Sequence, residues 1–150
     1  MEYKNFIKDF AARTKSNLEL IRANVDRVDP QGYEVTELVN AFLGLLILLD
    51  ELPDDEFPNK SLTEIGVTHL LGIPQNNADP IKDFSDYVHH LRNAFAHGNI
   101  QFDAPKSIIK SIYLQNYFFR TDRLSWTCEL TIEDVEFLFN LFHRTIMELP

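Results

Sequence analysis

The sequence predicts a mainly α-helical domain: a helical bundle with a C-terminal β-hairpin placed before the last helix. Three observations predict it. Apolar residues recur at helical spacing over four separate stretches. The period changes to a β-rich pattern only between Ser107 and Leu130. The length, 150 residues with 45% hydrophobic and 12% aromatic side chains, suits one domain, 1–150, with one core.

The first helix spans Tyr3 to about Val28, with Phe6, Phe10, Leu18, Ile21 and Val25 as its apolar positions. Asp29-Pro30-Gln31-Gly32 stops it. The second runs from Glu34 to Leu52 with a broad apolar face of Val35, Leu38, Val39, Phe42, Leu45, Leu46 and Leu49. Gly44 inside it costs about 1 kcal/mol relative to Ala, which a closely packed neighbouring helix would justify. A proline-bounded acidic loop, Pro53 to Asn59, follows. Ser61 and Glu64 fit a capping box for a short helix over 61–66. After an irregular stretch from Gly72 to Asn77, Asp79-Pro80 reads as the N-cap and first turn of a third long helix. Its core stripe is Ile81, Phe84, Val88, Leu91 and Phe95, and Gly98 is its left-handed C-cap. Ser107–Phe118 and Arg123–Leu130 form the two arms of the hairpin, turning near Arg120-Thr121-Asp122. Thr131 caps the final helix, with Asp134 in the reciprocal capping position.

Charge narrows the function. There are 23 acidic and 14 basic side chains, a net charge of −9. Such a surface does not attract nucleic acid as a whole, so an RNA site has to be a local basic patch. The single cysteine, Cys128, cannot form an intrachain disulfide and favours a reducing, cytoplasmic setting. The N-terminus lacks the order of a signal peptide, and the apolar run Phe42–Leu49 is far short of the ~20 residues that cross a bilayer. No membrane partner is expected.

The chemistry concentrates in Leu91-Arg92-Asn93-Ala94-Phe95-Ala96-His97-Gly98-Asn99. Arginine supplies a permanent cation with forked donors, and histidine moves protons near neutral pH. On a helical wheel His90, Asn93 and His97 share one face, Arg92 flanks it, and the core stripe lies elsewhere. Arg92 is long enough to swing onto that face. A bare Arg-x4-His match is expected roughly 0.2 times by accident in this composition, so the pattern alone is weak; its place at a helix end strengthens it.

With these residues the segment resembles the HEPN superfamily of helical domains, whose signature is Arg, a polar residue, a few mostly apolar positions and His near the end of a core helix. Here these are Arg92, Asn93 and His97. The order of elements is similar to a plasmid-encoded HEPN branch: a long first helix, "EVTELVNAFLGLLILL", "LRNAFAHGNI", a hairpin containing a Trp, and "LTIEDVEFLFNLF". The resemblance covers most of the chain, and its specific part is the motif. It implies a metal-independent endoribonuclease, a toxin or anti-phage defence component, acting as a homodimer in which two motif helices meet in one composite cleft. In that reading His97 is the general acid/base on the 2′-hydroxyl or the leaving 5′-oxygen, Arg92 holds the scissile phosphate, and Asn93 orients His97 or touches the phosphate. The products are a 2′,3′-cyclic phosphate and a 5′-hydroxyl. No cofactor is implied, and an antitoxin protein is a further partner. Members paired with a nucleotidyltransferase antitoxin carry Tyr two positions after the His; here that position is Asn99, so adenylylation there does not carry over.

Other residues have competing readings. His90 neighbours the motif and is an RNA-contact candidate. Lys106, Lys110, Arg120 and Arg123 fall in the hairpin region as an RNA-facing strip, where Tyr113, Tyr117 and Trp126 either stack bases or, the stronger reading, pack the hairpin onto the helices. His69, Asp86, His89, His90 and His97 do not complete a zinc pattern, and no metal is expected. The acidic residues Asp50, Glu51, Asp54, Asp55 and Glu56 read as a solvated loop, or else as a contact for a basic antitoxin or a repulsive gate for RNA. The alternative for the whole chain is a catalytically silent dimeric module that binds nucleotide, RNA or a protein partner.

Overall fold

The computed structural model describes residues 3–25 and 33–150. Its elements are α1 (Tyr3–Ala23), α2 (Tyr33–Asp50), β1 (Ile73–Pro74), α3 (Phe84–Ala96), β2 (Ile100–Asp103), a single 3-10 turn (Pro105–Ser107), β3 (Ser111–Tyr117), β4 (Leu124–Thr131) and α4 (Ile132–Met147). Helix α2 is buried on most of its circumference because α1, α3 and α4 all pack against it. This is the condition under which an apolar surface all round a helix is stable in water. A run of aromatic rings threads the interior. Phe57 meets Phe84 at 5.3 Å, Phe84 meets Phe142 at 6.1 Å, Phe142 stacks on Phe42 at 5.5 Å, and Phe42 meets the edge of Phe95 at 6.0 Å. Phe95 thereby ties the last turn of α3 to α2.

The hairpin forms where the sequence placed it, but it is the centre of a larger sheet. The four strands are antiparallel in the order β1-β4-β3-β2. The architecture is therefore mixed α/β, and the expectation of a mainly α bundle with only a hairpin is corrected. The two added strands are edges that contribute almost nothing to the core. Both residues of β1 are exposed, and β2 has only Ile100 partly covered. Their pairing is a matter of backbone hydrogen bonds, which leave no hydrophobic period to read. Pro74 fits an edge, where a missing N–H costs no ladder bond.

Local boundaries shift for identifiable reasons. The third helix begins at Phe84, not at Asp79-Pro80. Asp83 is the N-cap, accepting from the Asp86 N–H at 2.9 Å, and Asn59 reinforces it by accepting from the Ser85 N–H at 3.1 Å and donating to Asp83 at 3.0 Å. A loop residue 24 positions upstream thus decides the start. Ser61 accepts from the Glu64 N–H at 3.2 Å, but the segment makes one turn and no helix. On α1 the buried stripe is Ile7, Ala11 and Leu18, while Phe6 and Phe10 are exposed. Phe10 still lies over Gly44, where an added Cβ would stand 3.3 Å from its ring, so the glycine does admit a second helix. The helix end near Val28 and the stop at Asp29–Gly32 lie outside the described residues. The Thr131–Asp134 capping box of α4 is present in both directions.

The segment before β1 is stitched to the sheet through buried polar tips. Tyr87 Oη and Cys128 Sγ both donate to the Leu70 carbonyl, at 3.0 and 3.3 Å, and Trp126 Nε1 donates to the Leu71 carbonyl at 2.7 Å. Gly72 follows with φ +73°, and a Cβ there would stand 2.3 Å from the Thr127 carbonyl oxygen. Only glycine allows this approach. Burial pushes the Cys128 thiol up to about 12, so it stays protonated and inert.

Candidate active site

Helix α3 positions the motif. Phe84, Tyr87, Val88, Leu91 and Ala94 are buried, which fixes the rotation of the helix and sends its polar residues to two flanks. Its C-terminus closes in a full Schellman arrangement: Gly98 N–H donates to Phe95 O at 3.1 Å and Asn99 N–H to Ala94 O at 2.9 Å, with Gly98 at φ +67°. His97 is the C-cap, and its own N–H donates to Asn93 O at 3.1 Å. The motif histidine therefore sits at an exposed helix end held by backbone geometry rather than by side-chain contacts.

On the first flank, Arg92 Nε lies 3.1 Å from Asp50 Oδ2, and Arg92 Nη2 lies 4.0 Å from Glu51 Oε1. His89 Nδ1 stands 3.2 Å from the other oxygen of Asp50. The Asp50 side chain is only 12% exposed and closes α2, where the helix dipole disfavours an anion. The Arg92 guanidinium from α3 offsets that placement. Asp50 is thus a largely buried structural partner, not part of a solvated acidic loop. A hollow of about 480 Å³ opens beside it, bordered by Asp50, Asp54, Asp83 and Lys82, and its acidity is unsuited to phosphate.

On the second flank, His90, Asn93 and His97 line one wall of an open cleft of about 1050 Å³. The tip of the hairpin, from Asn116 to Asp122, forms the other wall. His90 is anchored: Nδ1 is 2.8 Å from the Asp86 carbonyl, its ring meets Trp126 edge-on at 5.5 Å, and its own carbonyl accepts from Asn116 Nδ2 at 2.9 Å. A carbonyl can only accept, so Nδ1 donates in this contact, and the Asp86 carboxylate lies 3.3 Å from the same nitrogen. Arg92 and His97 are about 140° apart on the helix. In the folded chain Arg92 turns to Asp50 while His97 lines the cleft.

The basic residues separate. Arg120 lines the cleft, with its guanidinium 4.9 Å from the centre of the Phe119 ring. Arg123 lies 5.1 Å over Phe118 and donates to the Asn76 carbonyl at 3.0 Å. Lys106 occupies the 3-10 turn and Lys110 the entry to β3, at the far end of that strand, about 20 Å away. The four do not form one strip. Trp126 is 2% exposed and packs the sheet, so it cannot stack a base; Tyr117 is exposed at the cleft. His69 stands against Phe137, 6.4 Å between ring centres, and among the described residues no group of three or more His, Cys, Asp or Glu is placed to share a metal ion.

Sequence reading missed Asn99, Asn116 and Phe119 as cleft residues. Asn116 did leave a signal, because it breaks the inward apolar alternation Ile112-Leu114 of β3. Phe119 left another, as a large apolar ring in a turn that otherwise calls for small polar residues.

The core is built around helices, and the motif helix ends at an exposed His beside a strand hairpin. The sequence model of the HEPN pEK499 p136 family matches residues 1–149, and the chain belongs to that family. HEPN domains include ribonucleases and often dimerise. No curated protein and no solved structure matches the chain. No helix among the described residues is long and apolar enough to cross a membrane.

Proposed function

We propose that the protein is a metal-independent endoribonuclease that works as a homodimer. The observation that carries this reading is His97, exposed at a geometrically fixed helix end on the wall of an open cleft with Asn93 and His90 beside it. His97 acts as general acid/base: a proton leaves the ribose 2′-hydroxyl, the 2′-oxygen attacks phosphorus, and the 5′-oxygen departs with a proton. The products are a 2′,3′-cyclic phosphate and a 5′-hydroxyl, and no metal or redox partner is consumed. Arg92 supplies positive charge to the phosphate. Because Arg92 and His97 occupy different flanks of one helix, a second copy is needed to bring both kinds of group to one phosphate. In a cell such an activity suits a toxin or defence component held in check by an antitoxin.

The test is RNA cleavage in EDTA by wild type, Arg92→Ala and His97→Ala, with the ends of the products identified and the mass in solution measured. Cleavage by a dimer, lost in both variants, supports the reading. Cleavage that requires added metal, or that survives both substitutions, sinks it. The contacts of Arg92 with Asp50 and Glu51, together with the net charge of −9, favour a second reading, a catalytically silent dimeric module that binds nucleotide, RNA or a protein partner. Absence of cleavage by a folded dimer selects it.

A further inference from the structure

We infer that Phe119 and Arg120, at the tip of the hairpin, form a stacking site for one unpaired base of single-stranded RNA; this rests on the ribonuclease reading and gives it a substrate class. Phe119 is 85% exposed, the most open large apolar side chain among the described residues, and it adds nothing to the core. It borders the same cleft as His97. Arg120 holds its planar cation 4.9 Å from the ring centre, so one face of the ring carries a guanidinium while the ring as a whole stays open. A base can stack on the free face, and its phosphate then lies beside Arg120.

Charge decides between stacking and electrostatic capture. With a net charge of −9, the chain repels a polyanion at long range. Among the four basic residues of the hairpin region only Arg120 lines the cleft, and Arg123 is held beside it by Phe118 and Asn76. Affinity then has to come from contacts that do not depend on phosphate charge, and base–aromatic stacking is such a contact. A duplex is disfavoured because its base faces are already covered. An apolar protein pocket fits less well, since burying Phe119 would strip water from Arg120. On the facing wall the carboxamides of Asn93 and Asn99 offer donors and acceptors to a base edge.

The test uses the full chain carrying His97→Ala, so that RNA survives, titrated with a short single-stranded RNA containing 2-aminopurine and with the same sequence as a duplex. Adding Phe119→Ala is expected to weaken binding of the single strand by about tenfold or more and to remove the fluorescence change. Phe119→Trp is expected to retain both. The salt dependence should be shallow, a log–log slope no steeper than about −1.5, corresponding to two phosphate contacts. Equal affinity with and without the Phe119 ring, or equal binding of duplex, overturns the stacking site. Cleavage that needs His97 but ignores Phe119 overturns it and leaves the ribonuclease reading standing. Phe119-dependent binding without any wild-type cleavage supports the stacking site and removes the ribonuclease. Failure to bind RNA at all overturns the stacking site, and it overturns the ribonuclease reading too where the wild type does not cleave.

Discussion

On one flank of α3, Arg92 and His89 share the two oxygens of a largely buried carboxylate, Asp50, and the surface around them is acidic. On the other flank, Asn93 and His97 face an open cleft across from an exposed aromatic ring. Both flanks belong to one helix, and the motif contributes Arg92 to the first and Asn93 and His97 to the second. The first flank is built as a structural joint between α2 and α3. The second lines a cleft that is open to solvent. A motif spelled by two residues five positions apart is therefore not a ready-made pair in the monomer; about 140° of helix separates its members.

The sharpest way to break this contrast is kinetic. His97→Ala is expected to reduce cleavage by about 10²–10⁴-fold, as for loss of a general acid/base, with little change in thermal stability because its side chain is exposed. Arg92→Ala is expected to reduce cleavage by about 10²-fold or more and also to lower the melting temperature, because it leaves Asp50 without its nearest cation. If the two variants lose activity and stability alike, the flanks are not functionally distinct. Next in size is Gly98→Ala. Nothing lies within 4 Å of an added Cβ, so the cost is the left-handed backbone alone, about 1 kcal/mol, read as a drop of roughly 2–4 °C in melting temperature. A larger drop would mean that the helix end is packed rather than merely capped.

A double-mutant cycle between Asp50→Asn and Arg92→Ala then measures the joint itself. Asp50 is largely buried but Arg92 is partly exposed, so a coupling of up to about 1 kcal/mol is expected from chemical denaturation. Additive effects would demote the pair to a surface contact. The smallest effect concerns acid. The Asp86 N–H, followed by the Asn59 side chain, holds the Asp83 carboxyl below its usual range, and the Arg22 guanidinium does the same for Glu136 on α4. Both folded values are depressed, so the stability they contribute is present above the ordinary values of 3.8 and 4.5 and is lost as pH falls through the folded ones. Asp83→Asn is expected to flatten that acid limb of a stability-versus-pH curve without changing cleavage; an unchanged limb would deny Asp83 its capping role.

Much of this is written in the sequence. The four helices, the hairpin and its turn, the Thr131 cap and the Gly98 end follow from period and turn chemistry, which act over a few residues. The edge strands did not show, because pairing through backbone groups writes no pattern into side chains. The start of α3 did not show either, since Asn59 helps cap it from a distant loop. Within the candidate site, the wheel placed His90, Asn93 and His97 together, but it could not say that Arg92 meets Asp50 or that Phe119 stands across the cleft.

The sequence by itself determined which helix carries the motif and which of its residues share a face. Helical periodicity and the Schellman glycine are local and leave one solution for where His97 stands. Tertiary structure alone decided what each side of that helix faces. The partner of Arg92 lies 42 positions before it on α2, and the hairpin tip that shares the cleft with His97 lies some 20 positions after it. Only packing of the shared core fixes the rotation that turns one residue toward a buried carboxylate and the other toward an open cleft.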